Sequence, residues 1–331
     1  MSNSSSVLST WARKPNRLTA IAYPLIICVV VGVGVVSLLD LAGTDYAFLA
    51  AYTVLQFVAL ATAWNILGGY AGYVNFGVAG FFAVGVYTSV VVYKTLGLPL
   101  VLTVPLAACT AGLLGLGMGY LTLRLRGVFF SIATLASSVV LNTLVVNWSF
   151  VGGSRGVYIL RPESIPFFDS YARYLFVVML IIAMIAVLIA RYIERSWIGN
   201  GLAALKDDEL AAECAGVPSL KMKLLATTIS GALLGAAGAP FPYFVTYVDP
   251  ASAFSLTIAV NAIAMPLIGG TATWLGPVIG AVLLGTLQQV ATVTISSALN
   301  LLIVGVLLVV FITVAPNGIM GLVQNMREKR K

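Results

Sequence analysis

The stretch GLAALKDDELAAECAG, residues 201–216, is polar and helix-forming, and it sits between long apolar runs. Glu209, Leu210, Ala211, Ala212 and Glu213 favour helix, and Asp207 or Asp208 can cap its start with a side-chain oxygen. Gly216, followed by Val217 and Pro218, ends it, because glycine supplies a left-handed residue and proline cannot continue. At about 100° per residue, Lys206, Glu209 and Glu213 share one face while Leu205, Ala212 and Ala215 sit elsewhere, so the helix is only weakly amphipathic. A short, charged helix of this kind suits docking against a soluble partner; the alternative is a solvated loop between two membrane spans.

Outside this stretch the chain is mostly apolar. Of its 331 residues 60% are hydrophobic and 9% charged, with a mean hydropathy of +1.03. Soluble domains carry about 25% charged residues, so the chain reads as an all-α polytopic membrane protein. A span needs about 20 apolar residues. Apolar runs at about 18–39, 46–67, 74–95, 98–122, 128–148, 174–192, 224–245, 256–270, 277–295 and 299–315 give about ten transmembrane helices. The expected organisation is a polar tail over 1–18, a transmembrane domain over 19–322 that includes a polar loop at 194–223, and a basic tail over 323–331. Arg13, Lys14 and Arg17 precede the first run as in a signal peptide, but that run is too long for a signal core and lacks a small-x-small cleavage site, so it is read as a retained span.

Charge sets the expected orientation. With the N-terminus inside, Arg13, Lys14, Arg17, Arg124, Arg126, Arg191, Arg195, Lys206, Lys221, Lys223, Arg327, Lys329, Arg330 and Lys331 share one side, fourteen of the eighteen basic residues. Lys94, Arg155, Arg161 and Arg173 fall on the other. This bias predicts that both termini and the 201–216 helix are cytoplasmic. The net charge of +7 is scattered over loops flanking the spans, so it does not mark a nucleic-acid surface. The longest outer loop, Ser149 to Tyr171, holds turn-formers together with Arg155 and Arg161, whose paired donors suit carboxylates of a binding protein; a plain connector is the alternative.

Chemistry within the membrane is sparse. The chain has no histidine, its three cysteines are widely spaced, and there is no GxxxxGK[ST] phosphate loop, so neither a metal cluster nor ATP hydrolysis is expected in it. On the span map all eleven carboxylates lie outside the apolar cores, which argues against an ion-coupled secondary transporter. Two glycine-dense stretches interrupt the apolar pattern, GGYAGYVNFGVAGFFAVGVYT (68–88) and GGTATWLGPVIGAVLLG (269–285). They share a Gly-Gly followed by a Gly-x4-Gly pair, Gly80 with Gly85 and Gly280 with Gly285, a hint of an internal repeat. Glycine permits close helix packing or a broken backbone along a cavity. The amides Asn65, Asn75 and Asn261 nearby favour a pathway, which would take in Phe76, Gly77, Gly269, Gly270 and Thr271.

These stretches carry a family resemblance. KDDELAAECAGV with SGALLGAAGA (230–239), GYAGYVNFGVAGFFAVGVYT, LRGVFFSIATLA (125–136), GGTATWLGPVIGA and APNGIMGL together resemble the LivM-type permeases, the membrane subunits of branched-chain amino acid ABC importers. Asn75 and Val78 depart from the Ser and His usual in the first block, which leaves the substrate within the family open. The resemblance implies the fold of type II ABC importer permeases. It also implies a coupling role for Lys206, Asp207, Asp208, Glu209, Ala212, Glu213 and Gly216 on an ATPase. The implied partners are a homologous LivH-like permease subunit, two ATP-binding cassette subunits that would hold ATP and Mg, an extracytoplasmic substrate-binding protein and lipid of a bacterial inner membrane. The chain itself would need no cofactor and catalyse no reaction. Related permeases carry urea, amides or aromatic acids.

Overall fold

The computed structural model describes residues 45–294 apart from 123–124, 126 and 161–169, together with 302, 305–306, 309, 313 and 318–321. All of these belong to one compact unit, residues 44–331. The expected span at 18–39, both tails, and Arg161 lie outside the described residues, as does most of the span at 299–315.

The remaining eight spans are present as helices long and apolar enough to cross a membrane. In chain order the elements are α1 (Asp45–Gly68), α2 (Val78–Leu96), α3 (Leu100–Thr122), α4 (Val128–Val146), β1 (Val157–Tyr158), α5 (Tyr171–Arg195), α6 (Trp197–Asp207), α7 (Glu209–Cys214), α8 (Ser219–Gly238), α9 (Phe241–Val245), β2 (Tyr247–Val248), α10 (Pro250–Ala253), α11 (Leu256–Gly269) and α12 (Leu275–Thr294). The architecture is that of an all-α polytopic membrane protein, with one antiparallel pair of two-residue strands, Val157 opposite Val248 and Tyr158 opposite Tyr247. α5 shows how such a helix is made from sequence. Ser170 caps it by accepting the Ala172 amide at 3.2 Å. Leu175, Met179, Ile182 and Ala186 are buried, whereas the equally apolar Ile181 and Ile185 are exposed, as befits a helix that meets protein on one side and lipid on the other.

Close packing replaces the hydrophobic effect within the bundle, since lipid is as apolar as a leucine core. Along the α3–α8 seam a Cβ added to Gly115 would lie 2.9 Å from the Thr227 carbonyl, and one on Gly231 would lie 3.0 Å from that of Ala111. The backbones therefore approach to a distance that only glycine allows.

Three boundaries differ from the sequence expectation. The span expected from residue 74 begins at Val78, because residues 69–77 form an irregular segment: Gly72 is left-handed (φ 76°), and Asn75 Oδ1 accepts the Gly77 amide at 2.8 Å. The span expected over 224–245 starts earlier, at Ser219, and reaches Val245 as two helices with a break after Gly238. Pro240 lacks an amide proton to continue the ladder, and the chain restarts as the short α9. The 201–216 stretch is divided between α6 and α7, with Asp208 extended between them (φ −155°, ψ 111°).

The two ends of the bundle differ in chemistry. One carries α6, α7 and the 69–77 segment. At the other, rings meet in pairs: Tyr52 stacked on Phe244 (centroids 4.5 Å apart) and Tyr87 on Phe254 (6.3 Å), with Phe82 edge-on to Phe241 (5.3 Å) and Tyr93 edge-on to Tyr243 (6.2 Å). We refer to them as the charged end and the aromatic end.

Candidate functional site

The charged end gathers side chains from several elements. α6 follows α5 after a one-residue break at Ser196, and near its C-terminus Lys206 Nζ donates to the Gly69 carbonyl at 2.9 Å. Gly72 lies against the same lysine, where a Cβ would be 3.0 Å from Lys206 Cγ. Asp208 caps α7 by accepting the amides of Leu210 (2.9 Å) and Ala211 (3.0 Å), which leaves its carboxylate at the positive end of the helix. Gly216 (φ 86°) closes α7, with its amide on the Glu213 carbonyl at 2.9 Å and the Val217 amide on that of Ala212 at 3.0 Å.

Between these caps the side chains divide. Asp207, Asp208, Leu210, Ala211, Glu213, Cys214 and Gly216 are exposed, and Leu210 retains 64% of its accessible surface. Ala212 is buried, and Glu213 accepts from the Ser219 hydroxyl. Glu209 turns inward, where one oxygen accepts from Lys223 Nζ at 2.6 Å and the other from the Tyr73 hydroxyl.

A second carboxylate, Glu194 in the last turn of α5, accepts from the Trp274 amide and lies 3.4 Å from the Tyr70 hydroxyl. Burial first, and the Glu194 carboxylate second, hold the Tyr70 phenol well above its ordinary range, so it stays a proton donor to Glu194. The Arg191 guanidinium lies 5.0 Å from the centre of the Trp274 ring.

Most of the amides and glycines that the sequence separated from the residues expected to couple to an ATPase are at this same end. Asn65 Nδ2 donates to the Thr271 carbonyl at 3.2 Å, joining α1 to the turn between α11 and α12. In that turn a Cβ on Gly269 would strike the Gly276 carbonyl, and one on Gly276 the Gly270 carbonyl; Gly270 itself has φ 110°. Asn75 is buried. Its side chain holds the Gly77 amide, and its carbonyl accepts Trp64 Nε1 at 2.9 Å. Phe76 is 38% exposed, and its amide donates to Thr134 Oγ1 at 3.2 Å. Asn261 stands apart, inside α11, where its Oδ1 accepts from Gln288 Nε2 of α12 at 3.0 Å. Arg155 is exposed at the aromatic end, and its carbonyl accepts the Tyr247 hydroxyl at 2.8 Å. Among the described residues no group of three or more His, Cys, Asp or Glu side chains could hold a metal ion.

Sequence reasoning missed Tyr70, Tyr73, Arg191, Glu194, Lys223 and Trp274. Tyr70 and Tyr73 stood within the quoted glycine block, and two tyrosines beside asparagine in an irregular segment were the available signal. Nothing in the spacing of Glu209 and Lys223 announced their pairing.

The family described as "Branched-chain amino acid transport system / permease component" matches residues 46–312. The high-affinity branched-chain amino acid transport system permease protein LivM of Salmonella typhimurium is 26% identical over 289 residues, covering 80% of this chain and 67% of its own. LivM of Escherichia coli is 25% identical over the same shares. A probable LivH permease of Methanocaldococcus jannaschii is 24% identical over 265 residues, covering 75% of this chain and 82% of its own. No solved structure shows a significant match.

Proposed function

Because the chain belongs to the family of LivM-type branched-chain amino acid transport permeases, we propose that it is the membrane-spanning subunit of an ABC importer in a bacterial inner membrane. It passes a small amino acid of the branched-chain type, delivered by an extracytoplasmic binding protein. It pairs with a homologous permease subunit and is driven by two ATP-binding subunits that hold ATP and Mg. Translocation by this chain requires no covalent chemistry.

The observation that carries this reading is the charged end. α7 presents Asp208, Leu210, Ala211 and Cys214 outward on a helix capped at both ends, a firm surface for a soluble motor. α6 through Lys206 and α7 through Glu209 are tied to the segment that holds Asn75 and Gly77. In this reading the charged end is cytoplasmic, and Asn65, Asn75, Phe76, Gly77, Gly269, Gly270 and Thr271 form the inner end of the pathway, with Asn261 further along it. Arg155, at the aromatic end, contacts the binding protein, and Arg161 is assigned the same role. Among the described residues every carboxylate lies at a helix end or between helices, which supports an ATP-driven mechanism over an ion-coupled one.

The test is uptake into vesicles holding the complete set of subunits, with leucine, urea, a short amide and an aromatic acid offered in parallel. Leucine uptake that requires both ATP and the binding protein is expected. Uptake that survives removal of the ATP-binding subunits and follows a proton or sodium gradient would replace this reading with a secondary transporter. Single cysteines at Ser219 and Thr95 should react with an impermeant reagent from opposite faces, Ser219 from the cytoplasm.

A further inference from the structure

α7 carries side chains of two kinds. Asp208, Leu210 and Glu213 face solvent, whereas Glu209 faces the bundle. Among its partners are Lys223 in α8 and Tyr73 in the 69–77 segment. The Lys223 side chain is 3% exposed and that of Glu209 17%, and the ammonium also lies 4.5 Å from the centre of the Tyr73 ring. A buried ammonium needs a fixed counter-charge, because removing that charge leaves it desolvated and unpaired. Glu209 therefore cannot swing outward to a soluble subunit without stranding Lys223. Beyond the tie, Tyr73 meets Phe130 edge-on at 5.2 Å, the Ser131 hydroxyl donates to the Val74 carbonyl at 2.8 Å, and the Phe76 amide is held by Thr134. Movement of α7 thus has a continuous route through residues 73–76 to α4.

We propose that Glu209 is a positioning residue and not a contact to the ATPase: with Lys223 and Tyr73 it forms a three-point tie that delivers displacement of α7 to the 69–77 segment, and through it to α4. This rests on reading α6 and α7 as the element on which the motor acts. It assigns the outward contact to Asp208, Leu210 and Glu213 instead.

The experiment uses vesicles with all subunits and reads leucine uptake, the ratio of substrate-stimulated to basal ATPase, thermal stability and retention of the ATP-binding subunits. Glu209→Lys and Lys223→Glu should each lower uptake about tenfold or more and bring the ATPase ratio toward one, while the ATP-binding subunits stay bound. The double exchange should return uptake to within about threefold of the parent, since it restores opposite charges at the same two sites. Tyr73→Phe, which keeps the ring and loses the hydroxyl, should lower uptake by about threefold. If the single variants fail to reach the membrane, the double exchange and Tyr73→Phe carry the decision. Loss of the ATP-binding subunits in Glu209→Lys without rescue by Lys223→Glu makes Glu209 an outward contact and overturns the proposal. So does a fall in thermal stability with an unchanged ATPase ratio. A parent transporter with no ATP-driven uptake overturns the importer reading and this proposal with it, whereas a coupled parent with an unrescued exchange overturns this proposal alone.

Discussion

At the charged end, helix termini are held by directional contacts between unlike groups: Lys206 on the Gly69 carbonyl, Glu209 on Lys223 and Tyr73, Glu194 on the Trp274 amide. At the aromatic end the equivalent work is done by area. Tyr52, Phe82, Tyr87 and Tyr93 each meet a ring from residues 241–254, and the two-residue strand pair adds little. On the proposed coupling role, the contrast separates the end that would transmit motion from the end that would absorb it. A charged hydrogen bond is short and directional and is either made or broken, whereas the ring pairs, two stacked and two edge-on, hold chiefly by contact area. Substitutions at the charged end should therefore uncouple transport beyond their effect on stability, and those at the aromatic end should do the reverse.

The largest effect is expected at the α11–α12 turn. Valine at Gly276 would drive its Cβ into the Gly270 carbonyl, a backbone atom that cannot yield. Gly276→Val should lose about 4 kcal/mol or more, seen as loss of the monodisperse peak in mild detergent; a normal thermal midpoint would remove close approach as the reason for glycine there. Phe244→Ala comes next. It opens a cavity beside the fully buried Tyr52 and should cost roughly 3 kcal/mol of stability, while the ATPase ratio per folded molecule stays that of the parent. A collapsed ratio would mean that the aromatic end takes part in coupling, and the contrast would fail. The smallest effect is expected from Asn75→Ala, which leaves the Gly77 amide without its 2.8 Å acceptor at a cost of about 1–2 kcal/mol. Uptake should nevertheless fall further than the thermal midpoint does, and Asn75→Ser, which keeps an uncharged oxygen acceptor, should recover part of it. Equal losses of uptake and stability in Asn75→Ala would class it with the aromatic end.

Features set by neighbouring residues were legible in the sequence. The eight spans follow from runs of apolar residues, and the Asp208 cap and the Gly216 stop follow from chemistry within a few positions. What escaped was set by distance. The start of α2 at Val78 depends on how Asn75 and Gly72 shape the preceding turn, and hydropathy cannot register this because Val74 and Phe76 are as apolar as the helix they precede. The end of α8 at Gly238 turns on Pro240, which stood in plain view within an apolar run and was outweighed by it. At the site, Asn65, Gly77 and Thr271 were assigned to the pathway and Lys206 and Glu209 to coupling, as if the two sets were separate. The hydrogen bonds link them, since the turn after α1 meets α6 and α7 while the turn after α11 meets α1 and the end of α5. Six side chains of the charged end were missed, because a Glu–Lys pair between two helices, unlike one within a helix, has no characteristic spacing.

The α3–α8 seam also constrains the order of assembly during synthesis. Gly112 and Gly115 of α3 face a partner, α8 with its own Gly231 and Gly235, that the ribosome makes on the order of 100 residues later, about 5–20 s at ordinary elongation rates. For that interval α3 lies in the bilayer with its small-residue face uncovered, open to any other helix carrying a matching groove. α11 and α12, whose glycine contact spans a turn of only a few residues, have no such wait. The nascent chain is thus most exposed to mispairing between the emergence of α3 and that of α8.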